Sequence, residues 1–368
     1  MKTFPLKSLS IKQAKELQFK LIEEITKEFK GGEFLNLGDL GVVQPNNQPT
    51  TTLKTEKVIA NFFDSEACKL IRGSGTAAIR FAFQSCLNTG DKILVHNAPI
   101  YPTTLSTIEM MGLKYTVADY NDYYDLIKVI DANPDIKAVL IQYTRQTISD
   151  KYDIAELIKV IKKHTKAKII TDDNYAALKV EYIGSQLSAD LSCFSCFKLL
   201  GPEGVGCVVG KAELIEKINK LNYSGGSQVQ GFEAQEVLRG FTYAPVALAL
   251  QAEVIEEVVQ YFQDKKNPII KDVTIANAQS KVLLIEFSEN IAAEVLKQAE
   301  LLGAAPHPVG AESKYELIPM FYRVSGTFAE ADSSLRQRMI RINPMRSGSN
   351  TIIRILLESI ERAKNVSK

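Results

Sequence analysis

Short apolar runs alternate with longer helical segments through the first half of the sequence. Five runs have the length and apolar content of buried strands, at residues 69–72, 92–96, 114–118, 138–143 and 168–171. Segments of crossover length separate these runs, and such alternation is typical of a mainly parallel sheet that is covered by helices on both faces. The pattern therefore predicts an α/β fold.

One connection is too short for a parallel crossover. Residues 191–197 and 204–209 both have the pattern of a buried strand, but only residues 198–203 lie between them. A parallel crossover needs about a dozen residues or more. We therefore expect these two strands to be antiparallel.

Helical periodicity before and after the predicted strands divides the chain into three parts. An amphipathic helix begins near Ser10, and a long helical stretch from about residue 245 ends at a break at residues 265–268. Strands at 282–287 and 339–342, a helix ending near Gly303 and a final helix at 352–360 follow. We expect an N-terminal helix and arm (1–45), a large domain (46–268) and a small C-terminal α+β domain (269–368).

Composition excludes several classes of partner. The 368 residues carry 44 Lys and Arg against 43 Asp and Glu, so a net charge of +1 provides no field for nucleic acid or an anionic membrane. The first ten residues lack a secretory signal, and no run approaches the length of a membrane span. Five cysteines sit within apolar runs, Cys193 and Cys196 among them, which is typical of buried reduced thiols. We therefore expect a cytosolic protein. We also expect no metal site, since the three histidines are far apart in sequence.

Three predicted strands end in residues that could bind a ligand or take part in catalysis. Gly73-Ser74-Gly75-Thr76 precedes a helical pattern, so it is either a phosphate site at a helix N-terminus or a purely structural turn. Asp172 and Asp173 follow the fifth strand. Lys198 stands between a buried strand and the turn Gly201-Pro202. A lysine removed from water keeps a neutral amine more readily, and imine chemistry requires that form.

These three strand ends, in this order, resemble those of fold type I pyridoxal 5′-phosphate (PLP) enzymes, the aminotransferase superfamily. The stretch 198–206 is similar to class V members. The Asp172-x-x-Tyr175 spacing and the 26 residues from Asp172 to Lys198 are further specific parts of the resemblance. The likeness covers nearly the whole chain, which looks most similar to bacterial aminotransferase-like proteins of unassigned reaction. The resemblance implies a PLP-dependent transferase-like fold, with a seven-stranded sheet containing one antiparallel strand and a smaller C-terminal α+β domain.

The resemblance also implies roles for individual residues, with Lys198, Asp172 and Tyr101 as the catalytic set. Lys198 would form the Schiff base with PLP and move the substrate's α-proton. Asp172 would hold the pyridine nitrogen, with Asp173 as the alternative, and Tyr101 would stack on the ring. Tyr175 would donate to the ring's phenolic oxygen or serve only in packing.

Further positions follow from the same resemblance. Gln142 or Arg145 would replace the asparagine that many aminotransferases place at the end of the fourth strand, and Arg145 is also a candidate for substrate binding. Arg341 would grip the substrate's α-carboxylate, with Arg336, Arg338 and Arg346 as nearby alternatives. The remaining expected cofactor contacts, which surround the phosphate, are Gly73, Ser74, Gly75, Thr76 and Ser195.

These residues predict a PLP-dependent enzyme that acts on an amino acid or amine. The resemblance favours transamination as the reaction. A lyase or aldolase that eliminates or cleaves at the β or γ carbon is the alternative, and a non-catalytic PLP-binding protein is the third. The resemblance further implies a homodimer with active sites at the subunit interface, and the cationic partner of the phosphate would come from another subunit.

Overall fold

The computed structural model describes residues 2–278, 280–308, 312–324 and 332–366. The chain forms two compact units, each composed of separate stretches of sequence. The large unit contains Lys12–Tyr143 and Tyr152–Pro245, and the small unit contains Met1–Ile11, Thr144–Lys151 and Val246–Lys368.

These bounds differ from the three-part division that the sequence indicates. The first residues of the chain belong to the small unit because Thr3 Oγ1 donates to the Ile275 carbonyl at 2.6 Å and Leu6 N donates to Asn277 Oδ1 at 2.7 Å. The division at Pro245 falls inside the longest helix. Sequence periodicity shows where a helix ends, but not which core each of its turns packs against.

The large unit contains the predicted seven-stranded sheet. Its order is β1-β7-β6-β5-β4-β2-β3, and β7 is antiparallel to both neighbours while the other pairs are parallel. This confirms the mainly parallel sheet with one antiparallel strand. The strands are β1 Ala67–Arg72, β2 Lys92–His96, β3 Lys114–Ala118, β4 Ile136–Gln142, β5 Lys168–Asp172, β6 Leu191–Ser195 and β7 Val205–Gly210.

Helices connect these strands, and apolar residues between helix and sheet form the core. Ile71, Ile93 and Ile170 of the sheet pack in one cluster with Phe83 of the third helix. Burial of such side chains supplies the main stabilisation of an α/β fold. The helices are α1 Ile11–Glu28, α2 Thr50–Phe62, α3 Ser74–Cys86, α4 Pro102–Met110, α5 Tyr123–Ala132, α6 Ile154–His164, α7 Ala212–Leu221 and α8 Gly231–Asp264. Among the described residues, no helix has the length and apolar character needed to cross a membrane.

The small unit is built on a four-stranded antiparallel sheet. Its order is β10-β11-β9-β8, and Leu283, Ile285, Phe321 and Ile340 lie in its core. The predicted strands 282–287 and 339–342 fall within β9 and β11, which confirms them. The elements are β8 Ile270–Ala278, β9 Ser280–Phe287, α9 Ala292–Leu301, β10 Met320–Arg323, α10 Leu335–Arg338, β11 Met339–Asn343 and α11 Ser349–Val366.

Sequence reasoning missed two strands of the small unit. The edge strand β8 carries polar side chains such as Lys271, Asp272 and Thr274, so it lacks the continuous apolar run by which buried strands are recognised. The strand β10 has four residues, which is too short for a periodic signal. Both strands are at the edges of the sheet.

The expected strand 191–197 ends two residues early. The strand β6 stops at Ser195, and Cys196–Leu199 form a 3₁₀ turn that contains Lys198. Leu200 follows with φ +63°, and a Cβ on Gly201 would lie 2.8 Å from the Cys196 carbonyl oxygen, so the chain must turn here. Lys198 therefore lies in a turn and not on the expected strand.

Candidate active site

The carboxyl ends of neighbouring strands bring the predicted site together. The strands β5 and β6 are parallel, with Asp172 opposite Cys193, so Asp172 and Ser195 are both at the carboxyl edge of the sheet. The loop before β7 returns beside β1, where the Gly204 carbonyl accepts from the amide of Ser74 at 3.0 Å. Ligands of open α/β sheets bind at this edge.

Lys198 reaches this edge from the 3₁₀ turn. Its side chain is partly buried, and Nζ lies 4.1 Å from the centroid of the Tyr175 ring and 3.4 Å from Asn174 Oδ1. Burial lowers the pKa of the Lys198 amine from 10.5 to about 8, and the negative charge of Asp172 opposes that shift. A substantial fraction of the amine is therefore neutral near physiological pH, as nucleophilic chemistry at a carbonyl requires.

The two neighbouring acids have different surroundings. Asp172 is 8% exposed, and its Oδ1 accepts from the amide of Asn174 at 3.1 Å and from Asn174 Nδ2 at 2.8 Å. Burial raises the pKa of Asp172, whereas the Asn174 side chain and the charge of Lys198 lower it. Asp173 is fully buried, and its Oδ2 accepts from Thr171 Oγ1 at 3.0 Å and from the amide of Gly184 at 3.2 Å. Asp172 is thus the acid that interacts with Lys198, whereas Asp173 forms its hydrogen bonds with Thr171 and Gly184.

Asp173 gives a prediction about the pH dependence of stability. Burial raises the pKa of its carboxyl from 3.8 to about 7, so its favourable contribution is complete below pH 3.8 and is lost as the pH rises through 7. Asp173→Asn removes the cost of ionisation and keeps an oxygen that can accept both hydrogen bonds. We expect the variant to melt several degrees above the wild type at pH 8 and within about a degree of it at pH 4. Melting curves at the two pH values test this, and an equal difference at both would contradict it.

The first turn of α3 forms a cradle of the kind that holds a phosphate. Gly73 precedes the helix with φ +104°, and Ser74 Oγ lies 2.7 Å from Ser195 Oγ. The first amides of a helix have no acceptor within the helix, so they point outward together with the positive end of the dipole. The hydroxyls of Ser74 and Ser195 and the backbone amides of Gly75 and Thr76 lie together at the start of α3, and that donor set fits a phosphate.

Gly206 lies in β7 directly beside the first turn of α3. A Cβ on Gly206 would lie 2.2 Å from the carbonyl oxygen of Ser74. Glycine therefore lets β7 approach the first turn of α3 closely. The structure thus supplies a packing reason for glycine at this position.

The expected cofactor contacts also include Thr76, Tyr101 and Gln142. Thr76 Oγ1 donates to Thr103 Oγ1 at 3.3 Å, which links α3 to the start of α4. Tyr101 directly precedes α4 and is 43% exposed, so its ring is accessible to a ligand. Gln142 ends β4 opposite Asp172, and its carbonyl accepts from the Tyr152 hydroxyl at 2.8 Å. Their cofactor contacts remain predictions.

The two arginines expected to bind substrate belong to the small unit. Arg145 Nε donates to the carbonyl of Phe4 at 2.9 Å. Arg341 Nε donates to the carbonyl of Arg323 at 2.8 Å, and its guanidinium carbon lies 4.1 Å from the centroid of the Tyr322 ring. Each guanidinium therefore has partners within its own unit, and substrate binding by either remains a prediction.

Sequence reasoning missed Asn174, whose side chain contacts three parts of the site. Its Oδ1 accepts from the amide of Ser195 at 3.0 Å as well as from Lys198, and its Nδ2 donates to Asp172. Its position two residues after Asp172, at the end of the same strand, is the signal that could have identified it. Within the part of the chain that the structure describes, no cluster of three or more His, Cys, Asp or Glu side chains could hold a metal ion.

Comparison with known proteins gives two family matches. Residues 45–283 match the family described as Cys/Met metabolism PLP-dependent enzyme, and residues 256–356 match the family described as YhfS-like, C-terminal domain. The chain is 50% identical over 361 residues to the uncharacterized protein YhfS of Escherichia coli K12, covering 98% of this chain and 99% of that protein. The crystal structure of E. coli YhfS, described as PLP-dependent, has a TM-score of 0.96 at 49% identity, with 98% and 100% of the two chains covered.

More distant relatives are similar over shorter regions. A probable cysteine desulfurase of Pasteurella multocida is 32% identical over 113 residues, which are 31% of this chain and 26% of that protein. Cystathionine beta-lyase of Bordetella avium is 26% identical over 217 residues, which are 57% of this chain and 53% of that protein. These matches do not confirm the resemblance to class V aminotransferases.

Proposed function

The chain belongs to the family of Cys/Met metabolism PLP-dependent enzymes, and we propose that it is a lyase that breaks a carbon–sulfur bond in a sulfur-containing amino acid. One observation carries the proposal: the family match spans residues 45–283 and so includes the whole cluster around Lys198, Asp172 and Ser74. The similarity to a cystathionine beta-lyase supports elimination over transamination, the reaction that the sequence resemblance favours.

The residues of the site fit PLP. The hydroxyls of Ser74 and Ser195, with the first amides of α3, would hold the phosphate. The carboxylate of Asp172 would pair with the pyridine nitrogen, and Lys198 would bind the aldehyde carbon. Bound PLP supplies an electron sink that stabilises negative charge on the substrate's α-carbon.

Two side chains would carry the protein's share of the reaction. The Lys198 amine, with a pKa of about 8, can accept a proton from the substrate's α-carbon and return one near neutral pH. The Asp172 carboxylate, held by two hydrogen bonds from Asn174, keeps a negative charge close to that amine. Partial burial of Lys198 limits competition from water for the same proton.

The cysteines favour release of the sulfur over its transfer to a protein thiol. Such a transfer needs an accessible thiolate. Each of the five cysteines lies in the described residues; Cys86 is partly buried and the others are buried. Burial raises the pKa of the Cys86 thiol to about 11, so little thiolate is present at neutral pH. The sulfur would therefore leave as a free thiol or sulfide.

A substrate panel tests the proposal. Purified holoprotein is incubated with cysteine, cystathionine and other amino acids that carry sulfur at the β or γ carbon. We expect equal amounts of ammonia, keto acid and thiol or sulfide, with repeated turnover and no lasting change in the cofactor spectrum. Conversion of the cofactor to its amine form, with one equivalent of keto acid, would indicate transamination instead. A cofactor spectrum that no amino acid perturbs would indicate a non-catalytic protein.

A further inference from the structure

The side-chain amide of Asn174 connects groups from three consecutive parts of the site. Nδ2 lies 2.8 Å from Asp172 Oδ1 at the end of β5, while Oδ1 lies 3.0 Å from the amide nitrogen of Ser195 at the end of β6. The same Oδ1 lies 3.4 Å from Nζ of Lys198 in the 3₁₀ turn. One planar group therefore bridges two strand ends and the lysine.

The partners of this amide determine its orientation. The backbone amide of Ser195 can only donate, so the oxygen of Asn174 must face it. The nitrogen then faces Asp172, which must present an acceptor, and the ionised carboxylate is the form that does so at both oxygens. The backbone amide of Asn174 also donates to Asp172 Oδ1, at 3.1 Å.

We propose that Asn174 is a positioning residue whose single amide holds the Asp172 carboxylate and the Lys198 amine in a fixed relation across the ends of β5 and β6. The inference rests on the proposed function, which gives those two groups their roles. Asn174 acts through Asp172 and Lys198. Its side-chain amide keeps the Asp172 carboxylate a hydrogen-bond acceptor and keeps the Lys198 amine close to that carboxylate.

Gly75 is part of the same arrangement. A Cβ at Gly75 would lie 2.8 Å from both Nδ2 and Oδ1 of Asn174. The absence of a side chain on α3 therefore leaves the space that the amide occupies. This reason for glycine at position 75 is separate from the phosphate contact expected from sequence, and it predicts that Gly75→Ala displaces the amide.

The charge state of Lys198 reports on this arrangement in a direction that depends on the substitution. Asn174→Ala removes an acceptor from the ammonium and the side-chain hydrogen bond that favours the ionised form of Asp172, so the pKa of Lys198 should fall. Asn174→Asp places a second negative charge beside the ammonium, so its pKa should rise. A merely structural asparagine would give shifts of one sign or none.

The experiment measures the pH dependence of Lys198 labelling in the full chain, before and after PLP is added. An amine-reactive reagent is applied across a pH series, and the labelled Lys198 peptide is quantified by mass spectrometry. In the cofactor-free chain we expect a midpoint near pH 8 for the wild type. We expect midpoints about one unit lower for Asn174→Ala and Gly75→Ala and about one unit higher for Asn174→Asp.

Asn133→Ala is the matched control, because Asn133 Nδ2 also donates within the large unit, to the Val129 carbonyl at 2.8 Å beside α5. It should keep the wild-type midpoint. Unchanged midpoints in all Asn174 variants, or shifts of the same sign, would overturn the inference. If PLP fails to protect Lys198 from the reagent while the opposite shifts persist, the proposed function fails and the positioning role stands.

Discussion

Lys198→Ala is expected to abolish the covalent link between the protein and PLP and to lower turnover by roughly 10⁴-fold or more. The partly buried amine is the group whose lowered pKa suits it to bind an aldehyde and to move a proton. Borohydride reduction of the holoprotein, followed by peptide mass spectrometry, measures the link directly. The wild type should yield a reduced adduct on the Lys198 peptide, and the variant should yield none.

Lys179→Ala is the matched control for that experiment. Lys179 Nζ lies 5.2 Å from the centroid of the Tyr175 ring, whose other cationic neighbour is Lys198 at 4.1 Å. Both lysines therefore lie beside the same aromatic ring. The Lys179 variant should retain the adduct, and an adduct that persists in Lys198→Ala would show that another amine binds the cofactor.

Asp172→Asn is expected to reduce turnover by roughly 10³-fold while leaving the protein folded. The substitution keeps the size of the side chain and loses its negative charge, which is the property needed to pair with a protonated pyridine nitrogen. Rate measurements at saturating substrate test the effect on turnover. The absorbance spectrum of the bound cofactor reports its protonation state independently of the rate.

Asp173→Asn provides the comparison, because the two acids are adjacent in sequence but differ in their partners. Asp173 binds Thr171 and the amide of Gly184, so its amide variant should keep turnover within a few-fold of the wild type at pH 7. A loss of turnover in Asp173→Asn that matches the loss in Asp172→Asn would contradict the assignment of Asp172.

Much of the fold could be predicted from the sequence, because the patterns that indicate strands and their connections are local. Apolar runs marked all seven strands of the large sheet within a few residues, and the short stretch 198–203 indicated the antiparallel pair. The edge strands β8 and β10 were missed because half-exposed or very short strands lack that apolar signal.

The candidate site was accessible only in part. Lys198, Asp172, Ser74 and Ser195 were found because each stands at a strand end, or just beyond one, where parallel topology gathers functional groups. Asn174 was not found, since its importance lies in contacts to Asp172, Ser195 and Lys198 that no periodicity reveals.

The sequence by itself determined the parallel sheet, the reversed strand, the lysine and the two acids, because residue type and spacing encode secondary structure and its connections. Only the tertiary structure decided that Asp172 rather than Asp173 interacts with the amine, that Lys198 lies in a turn beyond the strand, and that Gly75 makes room for Asn174. Those facts depend on which atoms are packed against one another across separate strands. Burial, hydrogen-bond partners and the pKa values that follow from them arise from that packing.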